Sequence, residues 1–265
     1  MNQLIYDSLL LLQHRGQDAS GIVTQKDRKF FMHKAKGMVK DVFRTRNMRG
    51  LPGNSGIGQV RYPTAGNADS EEEAQPFYVN APFGIVMAHN GNLTNAHALR
   101  QELFSTDHRH TNTESDSEVL VNIIAHELEK NTRGIPLTVD NVFDAVAGVH
   151  ARLKGSYAVI SLIAGHGLLA FRDPYGIRPL CIGRAADGSV MLASESVALE
   201  GTGFQLERDV APGEAVFVAL DGTLHTRQCA PSSQLYPCVF EFVYLARPDS
   251  VLDSISVYQA RLALG

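Results

Sequence analysis

Gly84-Ile85-Val86-Met87-Ala88-His89-Asn90-Gly91-Asn92-Leu93-Thr94-Asn95 runs from an apolar stretch through an Asn-Gly pair into a helical pattern. The apolar residues 85–88, with Phe83 just before, predict a buried strand, and Asn90-Gly91 predicts a sharp turn because both residues tolerate positive φ. A helix should follow: Thr94 or Asn95 can cap it, and Leu93, Ala96, Leu99, Leu103 and Phe104 recur at helical spacing. Strand, turn and helix together can aim backbone N–H groups and a side-chain amide at one spot, as an oxyanion requires. The same unit also serves as a plain connection, so its neighbours decide between the two.

Upstream, residues 56–62 alternate like a strand until Pro63, which has no N–H to donate, ends the ladder. Arg61 therefore sits where a strand stops. There it can bind a carboxylate through two parallel hydrogen bonds, or be an ordinary surface arginine. Residues 67–75, with Glu71-Glu72-Glu73, read as a solvated polar loop. Downstream, Ser115 and Glu118 have capping-box spacing ahead of Val119, Leu120, Ile123, Ile124 and Leu128. Asp116 then lies in the first helical turn, where a carboxylate is favoured by the positive helix end and could also receive an ammonium group. His108-Arg109-His110 lacks further ligands at metal spacing and reads as exposed.

The remaining chain divides by pattern. Residues 1–12 place Leu4, Ile5, Leu9 and Leu12 on one helical face, and the polar link 13–20, which carries Arg15, leads to strands near 21–24 and 30–33. A turn at 36–39 leads into a short helix, and a further helix covers 143–153. Beyond Gly155 come short apolar strands separated by turn signals, including Asp173-Pro174-Tyr175-Gly176 and Asp221-Gly222. This mixture of helices and hairpins, without regular strand–helix alternation, predicts an α+β fold of two antiparallel sheets packed together with helices outside.

With 44% hydrophobic and 20% charged residues in 265, the chain can bury a substantial core. A net charge of -4 argues against a nucleic-acid platform. No apolar run is long enough for a membrane span, since residues 157–171 are broken by Gly165-His166-Gly167. Three cysteines without a signal peptide suggest reduced thiols and a cytoplasmic setting. There is no internal repeat, P-loop, dinucleotide fingerprint or G-x-S-x-G elbow.

Gln13-His14-Arg15-Gly16-Gln17-Asp18, Val60-Arg61-Tyr62-Pro63-Thr64, Ala88 to Asn95 and Ser115-Asp116-Ser117-Glu118, in this order and spacing, resemble the glutaminase domain of the amidophosphoribosyltransferase family. Phe171 to Leu180 and Ala193-Ser194-Glu195-Ser196 are similar as well. Residues 240–250, with Ser256-Val257-Tyr258, resemble that family's junction with its phosphoribosyltransferase domain. The resemblance implies residues 1–235 as a class II glutamine amidotransferase domain and 236–265 as the junction. It implies an N-terminal-nucleophile hydrolase fold, a four-layer αββα sandwich. The activity implied is hydrolysis of glutamine, with the ammonia replacing pyrophosphate on phosphoribosyl pyrophosphate to give 5-phosphoribosylamine in the first step of purine (IMP) biosynthesis.

By the same resemblance, Arg61 would hold the glutamine α-carboxylate and Asp116 its α-ammonium. Asn90 and the backbone of Gly91 would form the oxyanion hole, Tyr62 and Thr64 would line the pocket, and Arg15 would lie near the nucleophile. The family nucleophile is a cysteine at the start of the mature chain, whereas this sequence opens Met1-Asn2-Gln3. The expectation is a fragment lacking the first strand, its cysteine and the phosphoribosyltransferase domain, inactive alone and unstable. No metal is expected in this chain; Mg²⁺ belongs to the phosphoribosyltransferase domain. Cys238 lies where some members carry an iron-sulfur ligand, which leaves the cluster open. A homo-oligomer is implied for the full-length enzyme. The alternatives are another amidotransferase of this fold and a non-catalytic ligand-binding or scaffold protein.

Overall fold

The computed structural model describes residues 1–62 and 71–265. Thr64 lies outside them. Helix α1 (Asn2–Leu11) buries Ile5 and Leu9, and a 3-10 turn (Gln13–Arg15) leads to β1 (Ala19–Lys26) and β2 (Lys29–Lys36). Two short helices, α2 (Val39–Val42) and α3 (Thr45–Arg49), precede β3 (Ser55–Arg61). The next strands are β4 (Phe77–Val79) and β5 (Ile85–Leu93), followed by α4 (Ala96–Asp107), α5 (Asp116–Thr132) and α6 (Val139–Arg152). A hairpin of β6 (Gly155–Ile163) and β7 (Gly167–Arg172) gives way to β8 (Cys181–Arg184), β9 (Val190–Ala193), α7 (Ser196–Glu200) and β10 (Gln205–Asp209). After β11 (Glu214–Ala219) and β12 (Leu224–Gln228) come a π-helical turn (Glu241–Leu245), the ribbon of β13 (Val251–Leu252) and β14 (Ile255–Ser256), and α8 (Val257–Leu264).

One layer is a six-stranded antiparallel sheet in the order β12-β11-β7-β6-β5-β4. Strand alternation gives it two apolar faces. Ile85, Met87, Val159 and Phe171 pack on Leu120, Ile124, Val146 and Val149 of α5 and α6. On the other face, Val86, Ala88 and Leu162 meet Val23 and Ile57, and Ala158, Ala170 and Val216 meet Ile182 and Leu192. A one-residue slip would exchange these faces, and each buried aliphatic side chain is worth about 1.5–3 kcal/mol. Register is therefore strongly held.

The second β layer differs from a single sheet. It consists of two three-stranded pieces, β2-β1-β3 and β10-β8-β9, both antiparallel, whose facing edges do not pair. Helix α1 bridges them from outside: Ile5 and Leu9 pack with Ile22 and Val60, while Leu4 and Leu12 pack with Cys181, Ala198 and Leu199. The layers thus run helix, sheet, sheet, helix.

Three local expectations change. Asn90 and Gly91 do not turn; β5 continues through them, opposite Ala158 and Tyr157 of β6, because the partner strand satisfies the backbone that a turn would otherwise free. Ser115 accepts the Ser117 N–H at 3.3 Å, but Glu118 does not complete a capping box, since its carboxylate takes the Asn112 and Thr113 N–H groups at 2.9 and 2.8 Å. Within the stretch expected to be solvated, Glu73 and Gln75 are buried at 3% and 7% exposure, each paired with polar groups of other elements.

Residues 236–265 are clamped to the rest. Arg172, fully buried, donates to both oxygens of Asp253 at 2.6 and 2.9 Å, and Glu241 accepts from Arg15 and Arg178. The backbone N–H of Arg247 and the Ser250 hydroxyl both donate to Glu195, at 2.9 and 2.7 Å.

Candidate active site

A cavity of about 490 Å³ opens beside β3 and is lined also by Leu9 of α1, Leu12 just after it, Ser194 and residues 244–248. Arg15, Arg61, Tyr62, Asn90, Gly91 and Asp116 all line it. Six of the seven residues singled out from sequence therefore share one wall system; Thr64 is outside the described residues.

Arg61 ends β3, opposite Ala19, and is only 5% exposed. Its guanidinium donates to Asp18 at 3.0 Å and to Glu73 at 2.8 Å. It therefore already carries carboxylates in the geometry that a ligand carboxylate would use. Tyr62, the next residue, is largely exposed.

Asn90 presents a buried Nδ2 with no hydrogen-bond partner among the described residues. An orphaned donor of this kind costs about 1–3 kcal/mol, which an incoming oxygen would recover. Gly91 follows with φ +151°, and a Cβ there would lie 2.0 Å from the Ser156 carbonyl oxygen. Only glycine lets β5 approach β6 so closely at this point.

Asp116 is the first residue of α5 and is 6% exposed. One carboxylate oxygen takes the Leu93 N–H at 2.8 Å and the other faces the Ser117 hydroxyl at 3.4 Å. Its nearest basic group among the described residues is His89, 3.9 Å away. Burial pushes the His89 imidazole below its usual pKa against the pull of Asp116, so it is neutral at pH 7. A buried carboxylate without a resident cation favours a cationic ligand.

Arg15 is held apart from such a role by its own partners. It bonds Glu195 at 2.5 Å and Glu241 at 2.8 and 2.9 Å. Burial alone would lower its pKa, but Glu241 and Glu195 outweigh that and raise it. Glu195, fully buried, is held down at about 2: burial opposes ionisation, and the His14 hydrogen bond and the Arg15 charge overcome it.

Sequence reasoning missed Gln75, His89, Ser117 and Glu73. For His89 a signal existed: period-two alternation along β5 places it with Ile85 and Met87, toward α5. For Gln75 and Glu73 none did, because their partners lie on β5, α5 and β3.

Residues 63–201 match the glutamine amidotransferase domain family. The chain belongs to that family. It is 56% identical over its whole length to an amidophosphoribosyltransferase from Pseudomonas aeruginosa and 57% to one from Escherichia coli, covering 53% of each. The solved glutamine phosphoribosylpyrophosphate amidotransferase from B. subtilis, complexed with ADP and GMP, superposes with a TM-score of 0.83 at 32% identity, covering 97% of this chain and 53% of that one. A structure described as the allosteric regulatory enzyme of purine biosynthesis gives 0.84 at 32% identity, over 97% of this chain and 52% of that one. These neighbours share the N-terminal-nucleophile type of fold with the sandwich described above. The chain spans about half the length of the curated relatives that it matches. As an amidotransferase domain it has no helix among the described residues long and apolar enough to cross a membrane.

Proposed function

We propose that this chain is the glutamine-holding part of an amidophosphoribosyltransferase. Glutamine lies in the cavity with its α-carboxylate on Arg61, its α-ammonium on Asp116 and its side-chain amide oxygen at Asn90 Nδ2 and the Gly91 N–H. The observation that carries this reading is the unpartnered Asn90 Nδ2 in the wall of the same cavity as a buried carboxylate and a buried guanidinium. When a thiol attacks the amide carbon, negative charge grows on the oxygen, and two preset donors stabilise it without reorganisation. Tyr62 and Thr64 would border the ligand, and Arg15 would fix the floor through Glu195 and Glu241.

No cysteine is among the lining residues, and Cys181 and Cys229 are buried elsewhere. Burial drives the Cys181 thiol far above its usual pKa, which removes it as a nucleophile. On this reading the described lining residues hold glutamine and the attacking thiol is not one of them. The ammonia released by the whole protein would pass to phosphoribosyl pyrophosphate, forming phosphoribosylamine for purine synthesis. Among the described residues no group of three or more His, Cys, Asp or Glu is arranged to hold a metal, so no step is assigned to Mg²⁺ or an iron-sulfur cluster here. Residues 236–265 would act as the junction, already docked through Asp253 and Glu241.

Calorimetric titration of glutamine tests the reading. Saturable binding is expected, abolished by Arg61→Ala and by Asp116→Ala; failure of glutamine to bind, or binding indifferent to both changes, overturns it.

A further inference from the structure

We propose that Gln75 is a positioning residue of the glutamine site, joining its oxyanion end to its ammonium end through Ser117. The side chain behaves as a short extra strand beside β5. Its Oε1 accepts the His89 N–H at 2.7 Å, and its Nε2 donates to the His89 carbonyl at 3.2 Å. His89 immediately precedes Asn90, so this pair of bonds fixes the backbone from which the Asn90 amide projects. The same Nε2 donates to the Ser117 hydroxyl at 3.1 Å. Ser117 in turn faces Asp116 Oδ1 at 3.4 Å and His89 Nδ1 at 3.1 Å.

The hydroxyl has one proton to give. With Gln75 donating to it, Ser117 can donate to Asp116 while accepting from His89 Nδ1–H, or donate to a His89 ring that carries its proton on Nε2, toward the Ser156 carbonyl at 3.5 Å. Because burial keeps His89 neutral, these are its two tautomers, and the one with the proton on Nδ1 leaves the Ser117 hydroxyl free to donate to Asp116. The amide of Gln75 is in contact with both arms, with the His89 backbone before Asn90 and with the Ser117 hydroxyl beside Asp116. It is itself rigid: 7% exposed, and set in a segment whose preceding Ala74 carbonyl accepts from Lys34, an ammonium that lies 5.0 Å from the centre of the Phe77 ring. Gln75, His89 and Ser117 themselves border the cavity, and the hydrogen bonds of Gln75 run to His89 and Ser117, through which it acts.

This inference rests on the placing of glutamine between Asp116 and Asn90, and one experiment separates the two. Glutamine and glutaramic acid, the same molecule without its α-amino group, are titrated into the chain and its variants. A parent that binds both equally ends the reading of Asp116 as ammonium receptor. A parent that prefers glutamine sustains it, and the variants then judge Gln75. Ser117→Ala is expected to weaken glutamine roughly tenfold and glutaramic acid by less than about twofold, the scale of one hydrogen bond to a charged group. Gln75→Met is expected to weaken both ligands, since both arms lose their anchor, and Gln75→Met with Ser117→Ala to be no worse than Gln75→Met for the preference between them. A general loss of packing would lower both ligands alike in Ser117→Ala, and that result overturns the proposal, as does unchanged preference in both single variants. If Gln75→Met does not fold, the ligand preference of Ser117→Ala decides alone.

Discussion

Arg61 and Glu73 form an ion pair at 2.8 Å in which both side chains are almost wholly removed from solvent. Arg61 is also the residue proposed to receive the ligand carboxylate, so Glu73 stands where that carboxylate would compete. Removing one partner of a buried pair costs about 3–5 kcal/mol, and a ligand able to supply the missing charge recovers part of it. Glu73→Ala is therefore expected to melt at a lower temperature without ligand, to bind glutamine more tightly, and to show a larger glutamine-induced rise in melting temperature. Thermal denaturation with and without glutamine checks this; weaker glutamine binding in the variant would make Glu73 a support of the site instead of its occupant.

Asn90, the proposed oxyanion donor, should separate stability from catalysis. Its buried Nδ2 has no partner among the described residues, so deleting it removes an existing penalty along with some packing. Asn90→Ala is expected to change unfolding free energy by under about 1 kcal/mol, while the whole protein loses roughly a hundred- to a thousandfold in ammonia release from glutamine at saturation. Urea denaturation and a glutaminase assay measure the two separately. A loss confined to KM would place Asn90 in ground-state binding.

The parts of this architecture that were legible in the sequence are those whose signals are local. Helix α1 declares itself by Ile5 and Leu9, and the β6–β7 hairpin by Gly165-His166-Gly167 between apolar runs. Asn90-Gly91 is a turn signal by itself, and what overrides it is pairing with Ala158 and Tyr157, far along the chain. Glu118 has the spacing of a capping box, yet the amides at 112 and 113 capture it. The placement of Arg61, Asn90 and Asp116 came from motif resemblance, and their shared cavity is tertiary. Gln75 and Glu73 were hidden for a plain reason: a polar side chain in a polar stretch looks solvated until its buried partner, His89 or Arg61, is known.

Asp253 should carry much of the attachment of residues 236–265. Arg172 spends both terminal nitrogens on it, while the Val210, Gly176 and Arg178 carbonyls take the remaining donors. Asp253→Ala leaves a buried guanidinium without its counter-charge and is expected to cost about 3–5 kcal/mol. Limited proteolysis should then cut within 236–265 sooner than in the parent. Replacing both residues, Arg172→Met with Asp253→Leu, is expected to cost less than Asp253→Ala, as no uncompensated charge remains. Equal proteolysis in parent and Asp253→Ala would show that Glu241 and Glu195 suffice as anchors.

His150 sets a pH dependence of stability. It is buried between α6 and the six-stranded sheet, stacked on Tyr157 with its Nδ1 2.9 Å from the phenol oxygen. Burial lowers its pKa to about 4, whereas in the unfolded chain it titrates near 6.5. Between those values the unfolded state binds a proton that the folded state refuses. Stability is thus complete above about 6.5 and falls with pH as it drops toward 4, by about 3 kcal/mol from this residue. His89, lowered by burial in the same way, adds a slope of the same sign. His150→Gln, which keeps a partner for Tyr157 and does not titrate, should flatten urea-denaturation stability between pH 6.5 and 4 without abolishing the His89 part. An unchanged slope in His150→Gln would mean that the imidazole gains access to solvent and protonates while the fold is intact.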